Sequence, residues 1–329
     1  MAKKKLLVCG VTGFIGRNAA EYFAQSDEYT VVGTYYRSQP DQVLINNPNI
    51  ELVQADLTNR DDVTRVVKGA DVIVQAAATT SGAKEILGKP YYHVTDNALM
   101  NSLLFRACFE HQVKNVIFFS CTVMYQGKEA PVVEEDFNHQ ISDKYFGVGW
   151  TKVYLEKMCD FYSRISKTKY TVIRHSNIYG PHDKYDLERS HVFGATVTKV
   201  MTAKNGKIVV WGEGTEERDL LHVDDLVRFV DLAIQKQTTS YELLNVGLGE
   251  SVSVRALVEK IIAASGRELK IEFDTSKPTI QYKLAVSYKK AFEKFGWEPQ
   301  VSLEEGIQKT LDWYRENVLP DLETASVSS

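Results

Sequence analysis

The chain has 329 residues, 44% of them hydrophobic and 25% charged, with a formal net charge of −4. That length exceeds what one core usually serves and predicts one large or two coupled domains of ordinary globular composition. The mild acidic excess, with no basic cluster beyond Lys3-Lys4-Lys5, argues against a nucleic-acid surface, and Leu6-Leu7-Val8-Cys9 is too short for a signal peptide or membrane span.

Residues 5–9 read as a first buried strand. Gly10-Val11-Thr12-Gly13-Phe14-Ile15-Gly16 follows at once and opens a helix over 14–25. In such a turn Gly10 permits the tight bend, Gly13 lets the backbone approach a pyrophosphate, and Gly16 allows close helix–sheet packing. Free N–H groups at the helix start, together with its dipole, favour phosphate there. Gly10, Thr12, Gly13, Phe14, Ile15 and Gly16 are therefore candidate dinucleotide contacts. The second strand, 30–35, ends in Thr34-Tyr35-Tyr36-Arg37. A carboxylate there would favour NAD(H), whereas Arg37 is suited to a 2′-phosphate, so NADP(H) is favoured over NAD(H). After a third strand at 50–53, Asp56 and Leu57 are placed to meet the adenine edge. A helix at 60–67 and a strand at 72–75 lead to Ala76-Ala77-Ala78, small residues where the backbone must run close to the cofactor.

A helix over 95–111, a strand over 115–119, a helix over 149–165 and a sixth strand over 170–174 complete the alternation. This pattern implies an α/β, Rossmann-type doubly wound parallel sheet. Beyond residue 176 the elements shorten and interleave, with helices at 192–202, 225–234, 254–264 and 303–314 and strands at 207–211 and 242–246. The expected organisation is a dinucleotide domain over 1–175 and a smaller mixed α/β substrate lobe over 176–319, with some interleaving. A disordered tail is expected over 320–329. The four cysteines, Cys9, Cys108, Cys121 and Cys159, show no metal-ligand spacing, and three lie in apolar stretches. Reduced core thiols, a cytoplasmic location and no metal are the corresponding expectations.

The glycine turn, Asp56-Leu57, the alanine run and Lys152 together resemble the extended short-chain dehydrogenase/reductase family. Asn177-Ile178-Tyr179-Gly180-Pro181-His182-Asp183, Ser190-His191-Val192, Trp211-Gly212, Arg218-x-x-Leu221-His222 and Phe273-Asp274-Thr275-Ser276-Lys277-Pro278 are more specific. They resemble the GDP-L-fucose synthase class, which epimerises and then reduces a GDP-linked 4-keto-6-deoxy sugar. The resemblance implies that Lys152 lies at the nicotinamide end, and that Asn177, His191, Val192, Lys199, Arg218 and Lys277 face the nucleotide sugar. His175, ending the sixth strand, is expected to pack near the nicotinamide without doing chemistry, and Trp211 either packs beneath the base or fills the lobe. The resemblance breaks at the proton donor. The tyrosine of Tyr-x-x-x-Lys falls on Val148, and none of the 17 tyrosines precedes a lysine by four positions. The serine position becomes Cys121, beside Thr122, and the epimerising cysteine becomes Val123, while His191 matches the other epimerising acid.

The expected function is a nucleotide-sugar epimerase/reductase with an atypical set of Lys152, Cys121, Thr122, Tyr145 and His191. Tyr145, Tyr125, Thr122 and a lysine-held water are the alternative donors, Tyr145 coming near Lys152 if the glycines at 147 and 149 bend the chain. Two other readings stay open: an epimerase or dehydratase that recycles a bound dinucleotide, and a weakly catalytic binding protein. The broad apolar faces of the 95–111 and 149–165 helices imply a homodimer through a four-helix bundle.

Overall fold

A computed structural model describes residues 3–79, 90–187, 190–277, 283–320 and 322. In chain order the first half contains β1 (Lys4–Cys9), α1 (Phe14–Ala24), β2 (Tyr29–Tyr35), α2 (Gln42–Ile45), β3 (Ile50–Gln54), α3 (Arg60–Val67) and β4 (Val72–Gln75). It continues with α4 (Pro90–Glu110), β5 (Asn115–Phe119), α5 (Phe146–Ile165) and β6 (Lys169–His175). The second half comprises β7 (Asn177–Tyr179), α6 (Val192–Thr202), β8 (Lys207–Trp211), β9 (Glu217–Arg218), β10 (Leu220–His222) and α7 (Val223–Lys236). It ends with β11 (Tyr241–Val246), β12 (Val252–Ser253), α8 (Val254–Ser265), β13 (Lys270–Asp274), α9 (Lys289–Phe295) and α10 (Leu303–Asn317).

Seven strands form one sheet in the order β11-β6-β5-β4-β1-β2-β3. Every pairing in it is parallel. Such a sheet needs cover on both faces, and the alternation along β1 supplies it. Leu6 and Val8 enter one core with Phe23 of α1 and Phe229 of α7, while Leu7 and Cys9 enter the other with Phe105 of α4 and Leu155 of α5. Strand order reverses beside β1, between β2 and β4. A crevice therefore opens where their carboxyl ends diverge, which is where open α/β sheets bind ligands.

The chain returns to this sheet after entering the lobe, because β11 pairs with β6. The lobe has its own core, built from Phe193 and Val197 of α6, Leu257 and Ile261 of α8, and Ile307 and Leu311 of α10. Pro320 and Leu322 are helical, and the remainder of the expected tail lies outside the described residues. The two- and three-residue strands β7, β9, β10 and β12 escaped the sequence reading because they are too short to show a period. The anticipated bend before Lys152 is absent: α5 runs unbroken from Phe146. Its two glycines serve packing instead, since a Cβ on Gly149 would lie 2.8 Å from Ile141 Cγ2 and one on Gly147 would lie 3.0 Å from Val94 Cγ2.

Candidate functional site

The dinucleotide turn is built from three independent restraints. Gly10 has φ +79°, which side chains of L-residues rarely adopt, and a Cβ there would come within 2.8 Å of Ala77 Cα. The glycine turn and the alanine run therefore meet backbone to backbone. Thr34 holds the turn from β2: its carbonyl accepts from Gly10 N at 3.1 Å and Val11 N at 2.8 Å, and its hydroxyl accepts from Gly10 N at 3.2 Å. Helix α1 then begins at Gly13 with no side-chain cap, so its first N–H groups remain available to a phosphate. Phe14 and Ile15 turn inward against the core, and Gly16 is buried in contact distance of Gly10, where a Cβ would clash. These residues fit a dinucleotide pyrophosphate.

At the adenosine end Arg37 is exposed and lies 5.1 Å from the Tyr36 ring centroid. Asp56 accepts from the Thr58 amide at 2.9 Å and its hydroxyl at 2.6 Å. Burial raises its carboxyl, but those bonds, Tyr36 and the charge of Arg37 outweigh it and hold the group below its ordinary value. Leu57 is buried behind it.

Lys152 crosses from α5 to the end of β5, donating to the Phe119 carbonyl at 2.7 Å with its ammonium 4.9 Å from the Phe118 ring centroid. Burial lowers its pKa, and the nearby Cys121 thiol and Glu156 act in the opposite sense. Cys121 is raised by burial and drawn down by Lys152. His175 ends β6 with its ring 6.1 Å from that of Phe119, and its Nδ1 lies 2.7 Å from the Ser176 carbonyl. A carbonyl only accepts, so Nδ1 carries the proton and Nε2 is left as the acceptor. Burial takes this imidazole down to about 4, against the Ser176 bond, and Lys152 and His191 push the same way. His191 caps α6 at the exposed rim and Val192 begins that helix. Lys152, Cys121 and His175 thus lie in one neighbourhood, Cys121 and His175 both in the field of the Lys152 ammonium, with Thr122 buried beside Cys121.

Val148 lies one helical turn before Lys152, on the same side of α5. Tyr145 precedes the helix and stands seven residues from Lys152, about 10 Å along the axis. Tyr125 is fully engaged elsewhere: its hydroxyl donates to Asn245 Oδ1 at 2.8 Å and accepts from Arg174 at 2.9 Å.

On the lobe side, Trp211 ends β8 with 54% of its surface exposed. Lys199 and Lys277 place their ammonium groups 6.0 and 5.9 Å from its ring centroid. A hollow of about 320 Å³ adjoins this shelf, and Lys199 also donates to the Val209 carbonyl at 3.0 Å. Asn177 is taken up by structure, its side-chain amide donating to the Asp219 carbonyl at 3.1 Å, and Arg218 donates to the Glu217 carbonyl at 2.8 Å. A larger cleft, about 1500 Å³, runs from Thr12 and Gly13 past His182 to Trp313. It touches the pyrophosphate turn but not Lys152 or Cys121.

Sequence reasoning passed over one feature of the centre. Glu156 and Arg174, both 3% exposed, form a bidentate pair behind Lys152, with distances of 2.9 and 2.7 Å. A glutamate four residues after Lys152 was visible in the chain; its partner 18 residues away was not.

A family model described as "NAD dependent epimerase/dehydratase family" matches residues 6–247. GDP-L-fucose synthase 1 of Arabidopsis thaliana is 30% identical over 275 residues, covering 80% of this chain and 84% of its own. GDP-L-colitose synthase of Yersinia pseudotuberculosis is 24% identical over 94% of this chain and 97% of its own. Among solved structures, UDP-glucose 4-epimerase of Thermotoga maritima with UDP-glucose is similar at TM-score 0.85 and 26% identity, covering 95% of this chain and 99% of that one.

Proposed function

Since the chain belongs to the NAD dependent epimerase/dehydratase family, whose relatives here are nucleotide-sugar epimerases and reductases, we propose that it acts on a GDP-linked 4-keto sugar as an epimerase/reductase. The observation that carries this reading is the buried Lys152 at the end of β5, with Cys121 and His175 in its field, together with the dinucleotide cradle at Gly10, Gly13 and Gly16. The GDP-fucose and GDP-colitose synthase relatives support the guanine nucleotide, and the Trp211 shelf flanked by Lys199 and Lys277 suits a base followed by phosphates.

A nicotinamide cofactor held by Gly10, Gly13 and Lys152 would supply the redox chemistry. Lys152 anchors the ribose end and keeps positive potential at the reacting oxygen. Cys121 and Thr122 hold that oxygen at the place where serine usually does so. A proton must still reach it across about 3 Å, directly or through one water. The distance of Tyr145 along α5 and the engagement of Tyr125 favour a water held by Lys152, with the Cys121 thiol beside it. In this reading His191, at the rim, exchanges a proton with a carbon next to the carbonyl.

NADP(H) is the preferred cofactor in this reading, because Arg37 stands exposed where a carboxylate would select NAD(H). Arg37→Ala is expected to weaken NADPH binding about tenfold or more while leaving NADH nearly unchanged, and equal losses would remove Arg37 from the 2′-phosphate site. Four free thiols, three of them buried, support a cytoplasmic setting. A UDP-sugar epimerase that recycles bound NAD is the second reading, favoured by the similarity to the Thermotoga enzyme. Thermal shift with GDP-, UDP- and dTDP-linked sugars separates the two, followed by NADPH oxidation with the 4-keto form of the sugar that binds. Stabilisation by UDP-sugars alone would overturn the GDP assignment.

A further inference from the structure

The residues expected to meet the reacting oxygen, Cys121 and Thr122, sit in a short turn after β5, and a turn of this kind has no regular hydrogen-bond ladder to fix it. The Ser120 amide ties its start to the Ile173 carbonyl at 2.8 Å, and two side-chain tethers lead to one place. Ser120, immediately before Cys121, donates its hydroxyl to Glu156 Oε1 at 2.6 Å. Tyr125, immediately after the turn, accepts at its hydroxyl from Arg174 NH1 at 2.9 Å. Glu156 and Arg174 are the two halves of the buried bidentate pair. Both ends of the turn therefore have a side-chain bond to the same ion pair. Within it, the Tyr125 amide closes the turn on the Thr122 carbonyl at 3.0 Å.

The same pair reaches the other reacting groups through the backbone. Glu156 is one helical turn beyond Lys152 on α5, and Arg174 is the neighbour of His175 on β6. Lys152 itself is tied to the Phe119 carbonyl, next to Ser120, so α5 grips two consecutive residues at the strand end. Burying such a pair is costly compared with apolar side chains of similar volume, which would hold α5 to the sheet at least as well. The surrounding shell is complete: Arg174 also donates to the Glu134 carbonyl at 3.3 Å, and Tyr125 donates to the Asn245 side chain, while the Asn245 backbone N–H donates to the Glu134 carboxylate at 2.6 Å. A satisfied network in a low-dielectric interior is stiff, and stiffness at this point bears on the geometry of the site rather than on the area buried.

We infer that the Glu156–Arg174 pair is a positioning device: through Ser120 at one end and Tyr125 at the other, it suspends the turn carrying Cys121 and Thr122 and fixes that turn against Lys152. The inference rests on the nucleotide-sugar reading for the identity of the reaction, but not for the geometry. Ser120 and Tyr125 are positioning residues and touch neither substrate nor cofactor.

Ser120→Ala and Tyr125→Phe each cut one suspension point while leaving the ion pair whole, so both variants should fold. Two measurements are made on the full chain. With the nucleotide sugar found in the ligand screen, each variant is expected to lower kcat about 10- to 100-fold, as small misplacements of reacting groups do. KM and the cofactor Kd should stay within about threefold, and Ser120→Thr, which keeps the hydroxyl, should restore kcat. Independently, iodoacetamide reports on Cys121, because the other three cysteines are 0% exposed. Releasing the turn should raise its alkylation rate several-fold and move the pH midpoint, as the thiol leaves the field of Lys152. Unchanged kcat together with an unchanged alkylation profile would overturn the inference. So would a loss of kcat matched by an equal loss of cofactor binding and not rescued by threonine. If the wild-type chain binds no nucleotide sugar, the functional reading fails, and the alkylation profile alone decides whether the pair positions the turn.

Discussion

Val148 and His175 each carry a test at the scale of single residues. Val148 stands one turn before Lys152, where a hydroxyl would lie beside the ammonium. Lys152→Ala is expected to abolish turnover, whereas Val148→Tyr should preserve or increase reduction of a 4-keto sugar, measured as NADPH consumption. If Val148→Tyr instead stops turnover with cofactor binding intact, the pocket serves other chemistry and the reductase reading falls. His175 offers a pH test. Its ring falls from 6.5 to about 4 through burial, with Lys152 and His191 adding to the effect. Between those values the unfolded chain binds a proton that the folded chain refuses. The stability contributed by this residue is therefore complete above about pH 6.5 and lost as pH falls through about 4. His175→Asn should show a shallower fall in Tm than the wild type between these limits by calorimetry; parallel curves would place the acid sensitivity elsewhere.

Between elements, the decisive contact is the seam of α5 with β5 and β6. Apolar packing brings Leu155 and Cys159 of α5 onto Val172 of β6 in one of the sheet's two cores. The Glu156–Arg174 pair then sets where along that seam the helix stops. Glu156→Ala leaves a buried guanidinium with its main partner gone and should cost about 3–5 kcal/mol, the usual penalty for breaking a buried pair. Denaturant unfolding reads this directly, and a change under 1 kcal/mol, on the order of an exposed ion pair, would mean that water or Glu134 takes over. The loss is expected to exceed that of Ser120→Ala severalfold, since the alanine at 120 removes a neutral hydroxyl and leaves both charges paired.

For the whole molecule, α4 and α5 pose the remaining question. Each buries one side against the sheet, with Leu104 and Phe105 at 0% exposure on α4 and Leu155 at 0% on α5. Each also leaves large apolar side chains outside: Leu99 at 45% and Phe109 at 39% on α4, Tyr154 and Phe161 at 55% on α5. We propose that two-fold pairing of these helices into a four-helix bundle would cover them. Light scattering should give twice the 37.2 kDa chain mass at micromolar concentration, and Phe161→Glu should return the monomer. A wild-type particle of one chain mass would end the dimer proposal.

The sequence by itself determined the strand–helix alternation of the first half, the glycine turn after β1 and the valine four residues before Lys152, because these are local facts. Strand–helix alternation is written in hydrophobic period, the glycine turn in spacing, and Val148 in its distance of four residues from Lys152. Other features were left to tertiary structure. The glycines at 147 and 149 read as a bend and are instead contact points for Val94 and Ile141. Strand β11 comes from the second half of the chain yet extends the first-half sheet beside β6. Tyr125, a candidate donor by type, is held in a network whose members span residues 120 to 245. No period or motif records such pairings, because a buried ion pair is satisfied by proximity in space and leaves the intervening sequence unconstrained.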